Sequence, residues 1–262
     1  MEKWSNIMNI SNKIYIHPLT YLLFIISIIT GMFKELIMVF FIIVTHELGH
    51  LMAAKLLKWK TKQIKIYPFG GCCVLEESIN RPIKEELFIL ISGPLFQIIV
   101  FTLISILSTK GFITYRNLKI YSNYHYTLLF FNLLPIYPLD GGRIVNQFLE
   151  IYFPYKKSNK MTIVLSIIII VCMLPFYNNL NFMLMIVFLL IELIEYLKKQ
   201  DYLYNKFLLE RFLNNYSFKK EKIIKNKNNM YKDKRHIIYY KNKYLTEKEY
   251  LKNRFQVKQW KN

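Results

Sequence analysis

Long apolar segments separated by short polar loops fill the first 197 residues of the chain. The third segment, residues 87–107, has 21 residues without a charge; as an α-helix it is about 31 Å long, which matches the roughly 30 Å hydrocarbon core of a bilayer. Six segments lie at about 14–32, 36–57, 87–107, 121 onward with breaks at Pro135 and Pro138, 161–177 and 180–197. The pattern predicts an all-α polytopic membrane protein with about six transmembrane helices.

A short stretch between the second and third segments has a different pattern. Residues 63–76 carry β-branched side chains around Pro68 and the pair Gly70-Gly71, a combination typical of a β-hairpin. The edge of such a hairpin is either a docking edge for an extended peptide or part of a plain connection. The sequence leaves both interpretations open.

Positive charge is concentrated at the C-terminal end of the chain. Residues 198–262 contain 19 Lys and Arg against 6 Asp and Glu, a net +13 of the +19 of the whole chain. A basic tail beside membrane segments faces the cytosol and meets anionic lipid or a partner protein, so the high pI does not indicate a nucleic-acid-binding protein. We predict a membrane-embedded domain over 1–197 and, over 198–262, a basic cytosolic tail, partly disordered, or a degenerate small regulatory module with a strand at 236–240 and a helix at 246–255.

The loops that follow the second, fourth and sixth segments are rich in lysine. Cytosolic loops carry the excess of Lys and Arg, so these three ends are predicted to be cytosolic, together with the N- and C-termini. The loop 110–120, with three basic residues, opposes this orientation but is outnumbered. The chain is therefore predicted to be a multi-pass integral membrane protein.

Five residues of the second segment combine three chemically active side chains. The sequence His46-Glu47-Leu48-Gly49-His50 has the HExxH pattern of zinc proteases. Two histidines four residues apart lie on one helix face and reach one Zn²⁺, and Glu47 is suited to accept a proton from water. Ionisable side chains at membrane depth are costly and usually functional. We predict an intramembrane zinc site, displaced toward the cytosol and opening to it, with Glu47 as catalytic base.

A catalytic zinc needs a third protein ligand. Asp140 is the only carboxylate between Glu86 and Glu150, and it follows two prolines and precedes Gly141-Gly142, where the backbone can approach closely. Broken helices at membrane depth occur where they are buried in protein or line a water-filled cavity. Asp140 is thus the predicted third ligand; the alternative is an Asp140 that lies beside the metal ligands or in solvent. Three other histidines are less suitable because of their predicted depth or location: His17, His125 and His236.

The two motifs together resemble those of the site-2 protease family of intramembrane zinc metalloproteases. The matching residues are HELGH in the second segment and the run from Asn132 to Gly142, Asn-Leu-Leu-Pro-Ile-Tyr-Pro-Leu-Asp-Gly-Gly. The form of the second motif, six segments and cytosolic termini are closest to the sporulation branch of the family. The resemblance implies that His46, His50 and Asp140 bind zinc and that Glu47 activates water. It also implies that Asn132 and Pro135 line the site and position the substrate.

The resemblance further implies regulated proteolysis of a membrane-associated transcription factor precursor. In the sporulation branch this substrate is pro-sigma-K, and inhibitory and scaffolding membrane proteins hold the protease in a complex. One alternative is a site-2 protease of another signalling pathway. A second is a zinc-binding membrane scaffold or transporter without protease activity, since transporters also use broken helices; zinc transport, however, does not need the glutamate between the two histidines.

Overall fold

The computed structural model describes residues 14–16, 18–59, 61–67, 70–75, 79–176, 180–218, 220–225, 229–240 and 243–256. The chain divides into two compact units. The first comprises Met1–Glu77 and Phe88–Asn132, and the second Ser78–Leu87 and Leu133–Asn262. Most of the described residues are helical, as the apolar segments predict.

Four helices contribute to the first unit. They are α1 (Pro18–Ile29), α2 (Phe33–Leu56), α3 (Ile83–Thr109, from residue 88 onward) and α4 (Tyr115–Leu133, up to residue 132). Within the described part of the chain, α2 and α3 are the two helices that are long and apolar enough to cross a membrane by length and composition. Six transmembrane helices therefore remain a prediction.

A three-stranded sheet completes the first unit. Strands β2 (Thr61–Tyr67) and β3 (Gly70–Leu75) are antiparallel, with Ile64 opposite Cys73, and β1 (Ile14–Ile16) pairs in parallel with β2. The predicted hairpin is confirmed, whereas Pro68 lies outside the described residues. The all-α expectation overlooked β1, because its three residues lie at the start of the predicted first apolar segment and give no separate signal.

The second unit contains the helices that follow the proline-rich break. Helix α5 (Asp140–Tyr152) begins seven residues after α4 ends at Leu133, so the predicted interruption at the two prolines is confirmed. Helix α6 (Tyr155–Met173) continues into a 3₁₀ turn at Leu174–Phe176. Helix α7 (Leu180–Leu213) does not end near residue 197 but continues into the basic tail.

The described residues of the tail form a small α/β layer. Strand β4 (Glu221–Ile224) pairs in parallel with β5 (Arg235–Tyr240), which pairs antiparallel with β6 (Lys243–Thr246), and α8 (Glu247–Gln256) follows. The predicted strand and helix are confirmed, and β4 and β6 are additional. Apolar side chains of α6, α7, β4, β5, α8 and the segment between β4 and β5 form one buried cluster: Tyr155, Tyr204, Phe207, Leu208, Ile224, Met230, Ile238 and Leu251. The division of the chain at residue 197 remains a prediction.

Arg211 is the polar centre of this layer. Its guanidinium is buried and donates to Glu247 Oε1 at 2.9 Å, to Asn80 Oδ1 at 2.7 Å and to the backbone carbonyls of Tyr231 and Lys232. A buried charge is stable only when it is paired and hydrogen-bonded. These contacts supply both, and they connect the end of α7 to the segment before β5 and to the start of α8.

Candidate metal centre

The HELGH motif lies in the C-terminal half of α2, with its three ionisable side chains buried. His46, Glu47 and His50 are 3%, 8% and 7% exposed. Positions 46 and 50 are four residues apart, slightly more than one helical turn of 3.6 residues, which brings the two imidazoles to the same face. One ligand atom from each of the three residues lies within 4.8 Å of the other two. The structure thus assembles the cluster that the spacing predicts.

Each histidine ring is held by a contact at its Nδ1 atom. His50 Nδ1 lies 2.8 Å from the carbonyl oxygen of Ile89, and His46 Nδ1 lies 3.0 Å from the side-chain oxygen of Gln97. A backbone carbonyl only accepts, so the Nδ1 of His50 must donate. In the neutral ring the lone pair is then on Nε2, the arrangement found when a metal-binding histidine donates its other N–H to an oxygen.

The two Nε2 atoms face each other at 3.1 Å. Two nitrogens bound to one tetrahedral Zn²⁺ at about 2.0–2.1 Å lie roughly 3.3 Å apart. The observed separation is close to this value, and a carboxylate lies beside the pair. Imidazole nitrogens are ligands that zinc accepts, so the two histidines fit a zinc ion.

Close packing of α3 against α2 sets the position of His50. A Cβ atom at Gly93 would collide with Nε2 and Cε1 of the His50 ring, and one at Gly49 would lie 2.7 Å from Cβ of Phe96. Ser92 Oγ donates to the carbonyl of Gly49 at 3.0 Å. Small residues allow two membrane helices to approach this closely, and the approach brings α3 against the imidazole.

Asp140 is the first residue of α5, half-buried and in the second unit. The following glycines have no room for side chains: a Cβ at Gly141 would meet the carbonyl of Leu133, and one at Gly142 would meet the backbone of Ile136 and Tyr137. The predicted close backbone approach is therefore confirmed. The assignment of Asp140 as a zinc ligand remains a prediction.

The other predicted site residues lie on both sides of the break. Asn132 is in the last turn of α4, in the first unit, and Pro135 is in the segment before α5, in the second unit; both are half-buried. Their roles toward substrate remain predictions. Of the histidines considered less suitable, His17 lies outside the described residues, and His236 is buried in the tail, where it contacts Glu247.

Sequence reasoning missed Gln97, the residue that supports His46. Gln97 of α3 contacts His46 directly, and the same amide contacts His125 of α4, a residue that the sequence places at the wrong depth for a ligand. The sequence does offer a signal for this residue: Gln97 is the one amide side chain in residues 88–109. Polar groups in an apolar helix are usually functional.

Comparison with known proteins identifies the family of this site. The family model of peptidase family M50 matches residues 34–126 and 110–176, which include both motifs. The chain belongs to peptidase family M50. This M50 protein is therefore a member of the site-2 protease family of zinc metalloproteases, and members of this family are embedded in membranes.

Two curated relatives of this M50 protein have informative names. It is 32% identical over 217 residues to stage IV sporulation protein FB of Bacillus subtilis (strain 168), covering 81% of this chain and 74% of that protein. It is 36% identical over 128 residues to zinc metalloprotease MJ0392 of Methanocaldococcus jannaschii, covering 48% of this chain and 37% of that protein. Both similarities agree with a metalloprotease.

A solved structure supports the same assignment. The site-2 protease from Methanocaldococcus jannaschii matches with a TM-score of 0.50 and 28% sequence identity, over 72% of this chain and 88% of that chain. Sequence and fold thus indicate the same enzyme class. The M50 protein is a metalloprotease, and zinc is the metal suggested by its relatives and by the His-Glu-His group.

Proposed function

We propose that this M50 protein is an intramembrane zinc metalloendopeptidase that cleaves a membrane-associated transcription factor precursor, pro-sigma-K, during sporulation. The buried group of His46, Glu47 and His50 in an apolar helix carries the proposal, since it combines zinc-protease chemistry with a membrane location. The similarity to stage IV sporulation protein FB over 81% of the chain supports the sporulation role.

Each side chain of the proposed site has its own role. His46, His50 and Asp140 hold the metal, which when bound supplies the Lewis acidity that activates water and polarises a carbonyl. Glu47 accepts the proton of the attacking water and returns it to the nitrogen of the leaving amine. This carboxylate is buried, with an exposure of 8%, and it lies beside the two histidines of the site.

A peptide bond in a helix is shielded by its own hydrogen bonds, so the substrate must be extended where it is cut. In the strand order β1-β2-β3, β3 is at the edge of the sheet, and the sheet belongs to the same unit as α2. An extended substrate segment adds to such an edge through backbone hydrogen bonds. Asn132 and Pro135 then position the scissile bond.

The lysine pattern and the same similarity support a proposal for the cellular setting. We infer a multi-pass protein with cytosolic N- and C-termini and an active site that opens to the cytosol, as the lysine pattern indicates. Inhibitory and scaffolding membrane proteins of the sporulation complex are its proposed partners. The tail, with its net +13 over residues 198–262, offers positive charge to the anionic cytosolic face.

Two variants with matched controls test the proposal. The chain is co-expressed with tagged pro-sigma-K, and processing is followed by immunoblot. Glu47→Gln and Asp140→Asn are expected to abolish processing, whereas Glu35→Gln in the first turn of α2 and Asp201→Asn, whose salt bridge with Lys156 is at the surface, retain it. Processing by Glu47→Gln at the wild-type rate would contradict the proposal.

Failure of the wild type to process pro-sigma-K, while it cleaves another membrane-tethered regulator in a zinc-dependent way, would favour a site-2 protease of another pathway. Zinc flux across vesicles without any cleavage would instead favour a scaffold or transporter. The carboxylate of Glu47 between the two histidines favours the protease, since transport has no need of a base at this position.

A further inference from the structure

Gln97 is an amide buried in the apolar middle of α3. Its side chain is 1% exposed, and burial of an amide without hydrogen bonds costs several kcal/mol, roughly 2–7 depending on the reference state. Its oxygen lies 3.0 Å from Nδ1 of His46, and its nitrogen lies 3.1 Å from the carbonyl oxygen and 3.3 Å from Nδ1 of His125. All three residues belong to the first unit.

The partners of Gln97 determine which way its amide points. The carbonyl oxygen of His125 can only accept a hydrogen bond, so the NH₂ group must face it. The second amide hydrogen is directed at Nδ1 of His125, whose ring is stacked on Phe101 with centroids 4.1 Å apart. With both hydrogens used on α4, the amide oxygen faces His46. The reverse orientation would place two acceptor oxygens 3.1 Å apart.

The orientation of the amide in turn determines the tautomer of His46. An amide oxygen only accepts, so Nδ1 of His46 carries the proton and donates it to Gln97. The neutral ring then has its lone pair on Nε2, which is the atom that faces Nε2 of His50 at 3.1 Å. The result is the same tautomer that the Ile89 carbonyl imposes on His50.

We propose that Gln97 is a positioning residue of the metal centre. Through its hydrogen bond it holds the ring of His46 and directs the Nε2 lone pair at the metal, and the backbone of α4 anchors Gln97 in turn. The inference rests on the proposed zinc site. Partners of this kind orient metal-binding histidines and raise their basicity, and their loss typically weakens metal binding by about 10- to 100-fold.

The test measures zinc affinity on the purified full chain in detergent, by competition with a chromophoric chelator. Gln97→Leu removes the acceptor and is expected to weaken zinc binding by about 10- to 100-fold. Gln97→Glu, kept neutral by its burial, can donate its O–H to the His125 carbonyl and keep its carbonyl oxygen as the acceptor for His46, and it is expected to retain the zinc affinity of the wild type. Gln200→Leu, the same change at an amide that donates to the Tyr196 carbonyl in α7, is the matched control and leaves the affinity unchanged.

The outcomes separate this inference from the proposed function. A wild type that does not bind zinc would overturn the metal site itself. If the wild type binds zinc and Gln97→Leu binds it equally well, only the role of Gln97 is overturned. An equal loss of affinity in Gln97→Leu and Gln97→Glu would also overturn that role, because it would show that Gln97 acts by packing alone.

A second readout covers the case in which Gln97→Leu does not fold. Gln97→Glu loaded with Co²⁺ is then compared with the wild type by visible absorption spectroscopy. A carboxyl partner changes the donor strength of His46, so a shifted d–d band with retained affinity supports the positioning role. An unchanged band would overturn it.

Discussion

At the scale of single residues, the metal centre depends on the absence of a side chain at two glycines. Gly93 leaves the space that the His50 ring occupies, and Gly49 allows Phe96 and the Ser92 carbonyl to approach α2 closely. Cores are packed densely, so an added methyl group is accommodated only by movement of its neighbours. At Gly93 the neighbour is a predicted zinc ligand, and its movement changes the metal site directly.

The change Gly93→Ala is therefore expected to displace the His50 imidazole and weaken zinc binding by at least about tenfold, in the range seen when ligand orientation is lost. The measurement is zinc content and affinity of the purified variant. Ile99→Ala, at a position 55% exposed on the same helix, is the control and should bind zinc as the wild type does. Unchanged affinity of Gly93→Ala would show that the ring has room to move.

At the scale of elements, a buried ion cluster connects the tail to α5, the helix that begins with Asp140. Lys232 Nζ lies 2.7 Å from Glu86 Oε1 in the first turn of α3 and 3.2 Å from Glu150 Oε2 in α5. Burial alone would lower the pKa of Lys232, but the two carboxylates raise the pKa above its ordinary value. Asn146 donates to Glu150 at 3.0 Å, which extends the network along α5.

Removal of the central cation should destabilise this part of the fold. Lys232→Met leaves the buried carboxylate of Glu150 and the half-buried one of Glu86 without their cation, and loss of one member of a buried ion pair costs about 3–5 kcal/mol. The measurement is chemical unfolding in detergent. Lys199→Met, which breaks an exposed pair with Glu195 at a similar distance of 2.8 Å, is the control and should have a much smaller effect.

A triple variant tests whether the charge is the cause. Glu86→Gln and Glu150→Gln together with Lys232→Met remove the unpaired carboxylates, and the free energy of unfolding is expected to recover in part. Equal destabilisation of the single and triple variants would attribute the loss to packing of the lysine side chain instead.

At the scale of the whole molecule, the chain is an apolar protein with a basic end. Its mean hydropathy is +0.20 and 53% of its residues are hydrophobic, while its net charge is +19. Helices α2 and α3 expose many large apolar side chains, among them Ile37, Phe41, Leu95, Ile99 and Leu103. Such surfaces are expected where lipid is the solvent, in agreement with membership of a membrane-embedded family.

Metal binding should couple to the stability of the whole molecule. A ligand that binds only the folded state at a free concentration of 100 times its Kd stabilises the fold by about 2.7 kcal/mol. Removal of zinc by a chelator is thus expected to lower the Tm, and addition of zinc to restore it. The Tm of Glu47→Gln should still depend on zinc, whereas the Tm of the double variant His46→Ala and His50→Ala should not. A wild-type Tm that does not depend on zinc would contradict a bound metal.

The sequence by itself determined the features that depend on local order. Residue spacing placed His46 and His50 on one face, the prolines ended α4 before Asp140, and β-branched runs marked the hairpin and the strand near residue 236. The tertiary structure decided what joins distant residues: β1 beside β2, Gln97 on His46 across 51 positions, and Lys232 between Glu86 and Glu150. Helical and strand periods report which face of an element is apolar, whereas the partner across that face is selected by the packing of the whole chain.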